Sequence, residues 1–411
     1  MSKNSKKQTP GGMIKSFIKN FISTVVFVIA LLIVLAVHLQ FASEKAVFDT
    51  AGAKKISYSP LVKIVPGPGL PAEVKPFKSN NNVDIAKFGD RFYMAFRSAP
   101  THFASTETIL YVLSSADAKK WDYETKFKMG SDLREPRFLV FKGKLFLYFF
   151  KGGANPLSFA PDSMYVTEFE SNGKWTKPKM FYKPGYVIWR AKEHGGKAIM
   201  SVYYGVGLYS NETKPSHLQL LESDDGYNYT LINNKDISST VSSEEGEFEF
   251  DAEGNLYATV RQEMKGGEVC FAPKSDITAW DCRFTPFKYD SALMFNHKGD
   301  FYVIARRNIA GEYNRDSKAL PAFLRSKWYL VRYSLTRKRT ALYRLDKEQK
   351  ILVPVFDFPS RGDTAYAGMV KLDENRYLIV NYSSDINKFD WSWIGGQLVG
   401  SNLYSTILEF K

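Results

Sequence analysis

A chain of 411 residues with 44% hydrophobic content carries enough apolar surface for one large or two ordinary domains, which excludes an intrinsically disordered protein. The formal charge of +13 would suit nucleic acid, but Lys and Arg are scattered and no basic helix or nucleic-acid motif accompanies them, so nucleic acid is set aside as a partner. With 24 Tyr and 31 Phe in short runs punctuated by Gly, Asn and Asp, the composition favours a mostly β protein.

Lys3, Lys6, Lys7 and Lys15 precede an apolar run from Phe21 to Val37, and the stretch from Phe17 to Phe41 is long enough to span a bilayer. The expected organisation is a basic cytoplasmic segment over 1–16, a transmembrane signal anchor over 17–41 and a polar stalk over 42–55. Residues 56–411 then lie outside the cytoplasm, in the periplasm or beyond the cell. A cleaved signal peptide is the rival reading, but Gln40 and Glu44 interrupt any small-x-small cleavage site.

From Ser79 onward one unit recurs: FGDRFYMAFR from Phe88, FKGKLFLYFF from Phe141, HGGKAIMSVYY from His194, AEGNLYATVR from Ala252, HKGDFYVIARR from His297 and DENRYLIVNY from Asp373. Each is a turn followed by an aromatic-rich strand and preceded by another short apolar run, and the mean spacing is about 57 residues. A further strand follows most hairpins: ILYVLSS from Ile109, SMYVTEF from Ser163, LQLLES from Leu218, EVCFAP from Glu268 and WYLVRYS from Trp328. Four strands per unit and six units predict an all-β, six-bladed propeller behind one N-terminal transmembrane helix. NLYSTILEF at the C-terminus leaves the last unit one strand short, which SYSPLVKIV from Ser57 can supply, closing the ring. The polar interval from Arg307 to Trp328, with Pro321, reads as a long loop over one face.

Cys270 and Cys282 flank a turn near Asp276 on adjacent strands; they are either a cross-strand disulfide, favoured in an oxidising compartment, or two buried thiols. Two cysteines and five scattered histidines make no metal cluster, and no cofactor is expected. The sequons at Asn211, Asn228 and Asn381 matter only in a glycosylating host.

In a propeller the first strand of each blade lines the channel, and its start lies on one face with the end of the second strand. Pairing each hairpin about its turn therefore gathers Asn82, Asp84 and Arg97 from the first unit, Glu135 and Arg137 from the second, and Tyr186 and Tyr204 from the third. Glu245 and Arg261, Asp290 and Arg306, and Asp363, Tyr366 and Tyr382 follow from the last three. Arg97, Arg261 and Arg306 share one register, and three convergent guanidinium groups fit an anionic or polyhydroxylated ligand, a glycan being the expected partner. Tyr366 beside Glu245 adds chemistry, because a carboxylate can take the phenol's proton while cations hold the phenolate.

Ser223-Asp224-Asp225-Gly226-Tyr227-Asn228-Tyr229 and Ser115-Ala116-Asp117-Ala118-Lys119-Lys120-Trp121 resemble the Asp-box turns of the sialidase (neuraminidase) superfamily. The stretch from Glu245 to Arg261 is similar to that superfamily's Glu, strand, turn, strand, Arg pattern, and Asp363-Thr364-Ala365-Tyr366-Ala367-Gly368 resembles the segment carrying its nucleophilic Tyr. The resemblance implies a glycosidase with Tyr366 as nucleophile, Glu245 as its base, and Arg97, Arg261 and Arg306 gripping an acidic group. Two departures stand out. The superfamily's first triad arginine has no counterpart at Asn82-Val83-Asp84-Ile85, and the loop after Arg97 offers His102 and Glu107 where the superfamily keeps an Asp acid. His102 and Asp84 are therefore the candidate proton donors. Asp132-Leu133-Arg134-Glu135-Pro136-Arg137 resembles instead the signature of five-bladed glycosidases and phosphorylases, an alternative in which Asp84, Glu135 and Glu245 act as a carboxylate set. A non-catalytic glycan-binding propeller is the third reading.

Overall fold

The computed structural model describes residues 10–411 apart from 157, 206–207, 209–214, 242 and 316–319; the Asn211 sequon lies outside the described residues. Six antiparallel sheets of four or five strands follow one another in chain order. Blade one comprises Ser79–Phe88, Arg91–Ala99, Ile109–Ser115 and Asp122–Phe127, and blade two runs from Leu133–Phe141 outward to Lys179–Met180. Blades three, four and five begin at Tyr186–His194, Ser243–Phe250 and Asp290–His297. Both faces of a blade pack on its neighbours: on Arg91–Ala99 the side chains of Phe92, Met94 and Phe96 are buried in one core cluster and those of Tyr93 and Ala95 in another.

Blade six closes the ring as the sequence predicts. Thr364–Lys371, Arg376–Ser383 and Asn402–Phe410 come from the C-terminal end, and Ile56–Tyr58 pairs with the last of them in the register Ile56↔Phe410. Val62–Val65 pairs with the same strand further along, Val62↔Ser405. The two Asp-centred turns bond alike: Asp225 Oδ1 accepts the amides of Tyr227 and Asn228 at 2.8 Å each, and Asp117 Oδ1 those of Lys119 and Lys120 at 2.8 and 2.9 Å. Cys270 and Cys282 face each other in register and are joined as a disulfide. The Asn381 side chain is buried and donates to Thr340 Oγ1, so that sequon is closed to modification.

The stretch WYLVRYS is not a strand. It belongs to an α-helix, Ala322–Leu335, and the third strand of blade five is Lys338–Asp346. Its β-branched and aromatic residues suggest a strand, but Tyr329 and Tyr333 stand four apart and both pack on Tyr313, at 6.0 and 5.4 Å between ring centroids. Pro321 precedes the first turn, where a missing amide costs nothing. The expected long loop after Arg307 is correspondingly shorter.

Pro10–Phe41 forms one helix, and its 25 residues Phe17–Phe41 are long and apolar enough to cross a membrane. The segment expected as a stalk runs along blade five, its Glu44 and Asp49 amides bonding the carbonyls of Ile309 and Pro354.

Ring closure rests on Ile56, Ile64 and Val65, all buried, which together contribute on the order of 5 kcal/mol of apolar burial, comparable with the stability of a whole domain. A chain starting at Ala51 is therefore expected to melt cooperatively near the temperature of the full chain. One starting at Pro71 is expected to lose that transition or to melt at least about 10 °C lower by circular dichroism.

Candidate functional site

The inner strands all slip register near their first residues, and in five of the six blades the slip places a non-glycine residue at positive φ. These are Asn82 (φ 44°), Glu135 (52°), Glu245 (49°), Ser291 (55°) and Tyr366 (63°), each costing about 1 kcal/mol or more of backbone strain. A bulge turns a side chain that would pack between blades toward the channel mouth instead. All five line a single cavity of about 270 Å³ at that mouth.

The cavity is completed by His102 and Phe103 from the loop of blade one, Arg134, Phe159, Arg261, Arg306 and Tyr382, and by Trp393 and Gln397 from the short helix Trp393–Val399. Behind Tyr366, Gly368 lets blade six abut blade one, for a Cβ there would lie 2.9 Å from Asp84 Cα.

Tyr366 is buried, and its Oη has no hydrogen-bond partner among the described residues. The Arg137 guanidinium lies 4.0 Å from the centre of its ring, and Trp189 meets it edge-on. The carboxylate acting on the phenol is Glu135, whose Oε2 likewise has no hydrogen-bond partner among the described residues. Burial pushes the Glu135 pKa up to about 7 against the pull of Arg137. Burial also raises the Tyr366 phenol well above its ordinary value, with Arg137 opposing.

Glu245, expected against Tyr366, is held elsewhere. Its Oε1 accepts from Arg261 Nη1 at 2.6 Å and its Oε2 from the Ser291 amide at 2.7 Å. Pairing outward from the turn misses the bulge, which sets Glu244, not Glu245, opposite Arg261 and swings Glu245 toward blade five.

The three arginines do not converge. Arg97 is wholly buried and its donors are spent on Asp132 Oδ1 (2.8 Å), Asn81 Oδ1, and the carbonyls of Thr101 and Phe103, so it props the His102 loop from behind. Arg261 and Arg306 do line the cavity, joined by Arg134, which bonds Asp132 and the His102 carbonyl. Asp290 sits between Arg261 (3.3 Å) and Arg306 (3.4 Å) and takes a 2.6 Å bond from the Tyr333 hydroxyl. Burial raises its pKa, but Arg261, Lys288 and Arg306 outweigh that and hold it at about 2.

His102 and Asp363, far apart in sequence, form a pair: Nδ1 lies 2.6 Å from Asp363 Oδ2, while Nε2 is 3.4 Å from Arg134 Nη1. The other Asp363 oxygen accepts from Trp393 Nε1 (3.0 Å) and Tyr382 Oη (3.2 Å). Burial lowers the His102 pKa more than Asp363 raises it, so the ring is neutral at pH 7. Asp363 thus stands behind the cavity wall. Asp84 lies deeper in the channel, accepting from the Phe138 amide at 2.8 Å, and Tyr186 stacks on Tyr204 (4.4 Å) away from the cavity. Of the expected residues, Asn82, His102, Glu135, Glu245, Arg261, Arg306 and Tyr366 meet in one place; Asp84, Arg97, Arg137, Asp363 and Tyr186 do not line it. Arg134, Ser291 and Trp393 were missed: the first stands in the quoted Asp132 to Arg137 motif, and the others carry no sequence signal.

In architecture this is a sialidase-like six-bladed propeller. Among solved structures it resembles a protein of unknown function from Dyadobacter fermentans (TM-score 0.59, 15% identity, 87% of this chain and 100% of that one). It also resembles Trypanosoma rangeli sialidase in complex with the inhibitor DANA (TM-score 0.55, 14% identity, 80% of this chain and 55% of that one). The same enzyme as a covalent intermediate with 2,3-difluorosialic acid aligns with TM-score 0.54 at 14% identity over 81% of this chain and 54% of that one. The chain thus spans about half the length of the trypanosomal enzyme. At such identities the likeness is one of fold. No protein-family model matches the chain, and no curated protein does.

Because the folded pKa of Glu135 is raised above its unfolded value, the neutral carboxyl favours the fold below about pH 4.5, and that contribution is lost as pH rises through about 7. Glu135→Gln, which keeps the neutral shape, is expected to raise the melting temperature by several degrees at pH 8 and to change it little at pH 5, read by differential scanning calorimetry at the two pH values.

Proposed function

We propose that the chain is a membrane-anchored glycoside hydrolase that acts on an acidic or polyhydroxylated glycan, with Tyr366 as nucleophile. The carrying observation is the unbonded Tyr366 Oη at the cavity wall, on a strained bulge, beside a carboxyl with a pKa of about 7 and over a buried guanidinium. A phenol is a poor nucleophile at neutral pH. Here Glu135 takes the proton as Oη attacks the anomeric carbon, and Arg137 lowers the cost of the charge that forms. A phenol suits an acidic sugar better than a carboxylate nucleophile would, and the sialidase-like fold supports the same choice.

In its protonated form His102 gives the Nε2 proton to the leaving oxygen, while Asp363 accepts from Nδ1 and fixes the ring. Arg261 and Arg306 hold the glycan's polar groups, while Trp393 and Phe159 offer flat apolar faces to its ring. The apolar helix anchors the chain with its basic end in the cytoplasm and the propeller on the other side.

A second reading is favoured by one observation. Glu135, with its pKa raised to about 7, is itself suited to act as a general acid, with Glu245 as the second carboxylate of an inverting glycosidase. The full chain in detergent, assayed on aryl sialosides and neutral aryl glycosides, separates the two. Under the first reading Tyr366→Phe lowers kcat at least about 1,000-fold and Glu135→Gln about 100-fold. Loss with Glu135→Gln but not with Tyr366→Phe establishes the second, and no turnover of any glycoside overturns both.

The pH profile is a separate check. Protonated His102 and ionised Glu135 are both needed, and because burial lowers the His102 pKa while that of Glu135 is about 7, kcat/KM follows a narrow bell with its maximum below about pH 7. Lengthening of the alkaline limb in His102→Gln is expected, and an unchanged profile in that variant removes His102 from the mechanism.

A further inference from the structure

The helix Trp393–Val399 has two faces with different surroundings. Trp393 and Gln397, four residues apart, line the candidate site, whereas Leu398 and Val399 stand 53% and 47% exposed. The preceding loop adds Phe389 and Trp391, 50% and 42% exposed. Phe389, Trp391 and Val399 border a groove of about 460 Å³ whose other walls include Lys78, Lys388 and Asp385, and Leu398 stands exposed beside it. So many large exposed apolar groups beside basic ones mark a surface meant to be covered.

The apolar N-terminal helix ends on this loop. Gln40 Nε2 donates to the Asp390 carbonyl at 2.6 Å, its Oε1 accepts from the Ser392 amide at 2.6 Å, and the Phe41 ring packs edge-on against Phe389 at 6.5 Å. Spanning 25 residues, Phe17–Phe41 is about 37 Å long, against about 30 Å of hydrocarbon and 40–45 Å with headgroups. With the helix inserted, Phe41 stands at headgroup depth, and Phe389 and Trp391 stand with it, the level at which aromatic rings gather. Lys78 and Lys388 then meet lipid phosphate.

We propose that the loop 385–392 and the outer face of Trp393–Val399 form a platform that rests in the headgroup layer of the membrane holding the N-terminal helix. The platform sets the mouth of the cavity at the bilayer surface, because the helix that rests on lipid also walls the cavity. The substrate class that follows is a glycan presented at the membrane surface, such as the headgroup of a glycolipid. The inference rests on the membrane-anchored glycosidase reading and goes beyond it in fixing the propeller's orientation and the substrate's carrier.

Two single-cysteine variants of the full chain, Leu398→Cys and, at an exposed turn of the same blade, Glu374→Cys, can be labelled with an environment-sensitive dye, since the native cysteines are bonded to each other. Both are reconstituted into vesicles of equimolar phosphatidylcholine and phosphatidylglycerol containing a headgroup-level spin-labelled lipid. The expected result is quenching at position 398 at least about fivefold stronger than at position 374. Protein that floats with the vesicles but quenches equally at both positions keeps the anchor and overturns the platform. Dye at 398 that is shielded from water but not quenched by lipid overturns it too, because another protein surface then covers the groove. Protein that does not float overturns the anchor and the platform together. The carrier is tested by Leu398→Glu with Phe389→Glu, expected to leave turnover of a soluble aryl glycoside unchanged and to lower turnover of the same sugar on a vesicle-borne glycolipid about tenfold. Equal turnover of both substrates in that variant overturns the assignment of a membrane-presented glycan.

Discussion

Everything at the channel mouth depends on the ring being closed. The strand Asn402–Phe410 bonds on one side to Arg376–Ser383 and on the other to Ile56–Tyr58 and Val62–Val65, so the two ends of the propeller are spliced inside one sheet. No blade holds a site of its own. The cavity draws Asn82 from blade one, Glu135 from blade two, Glu245 from blade four, Ser291 from blade five and Tyr366 from blade six. Each pairwise approach, such as Glu135 to Tyr366, is a contact between blades far apart in sequence, and it exists only while the hydrogen-bonded closure of blade six holds the circumference fixed.

Within that ring the bulges turn a packing surface into the lining of a cavity. A regular inner strand would direct its alternate residues between blades or into the channel in a fixed two-residue rhythm. The slip between Ala365 and Gly368 breaks the rhythm and puts Tyr366 in the left-handed region, a conformation a tyrosine does not adopt without support. Support comes from packing: Arg137 lies under the ring, Trp189 meets its edge, and the bare Gly368 lets blade one close up behind it. The strain is stored where the chemistry is proposed, and the surrounding blades hold it there.

The repeat was legible because strand alternation and turn residues are local. Six hairpins follow from counting outward from a turn, and the closing strand near Ser57 follows from the strand that the last unit lacks. Counting fails wherever a bulge inserts a residue, which is why Glu245 lies against Arg261 and Ser291 rather than Tyr366. It also says nothing about capture by a neighbouring blade. Arg97 occupies the expected register but is taken by Asp132, 35 residues on, and His102 meets Asp363 across 261 residues. Composition misled once more in WYLVRYS, where strand-forming residue types sit at helical spacing and the contacts with Tyr313 decide the matter.

The cavity's charges are paired before any ligand arrives, and this bears on what it can recognise. Arg261 is held by Glu245, Glu263 and Asp290, and Arg134 by Asp132. A carboxylate entering the site must share these guanidinium groups with acids already bonded to them, and in a desolvated setting removing one partner from such a pair is costly. Arg306 is the least committed: its bonds to Asp290 and Ser291 Oγ are 3.4 Å long, and only the Thr364 carbonyl and the Tyr382 hydroxyl hold it closely. Hydroxyl groups face no such contest, since each can donate to an acid and accept from its arginine without separating them. Among the described residues that line the cavity, the unmatched polar atoms are Asn82 Oδ1, Glu135 Oε2 and Tyr366 Oη. In the proposed reaction, recognition through bridged ion pairs and attack by Tyr366 Oη are therefore separable, the first tolerant of the sugar's charge and the second depending on the bulge that carries Tyr366.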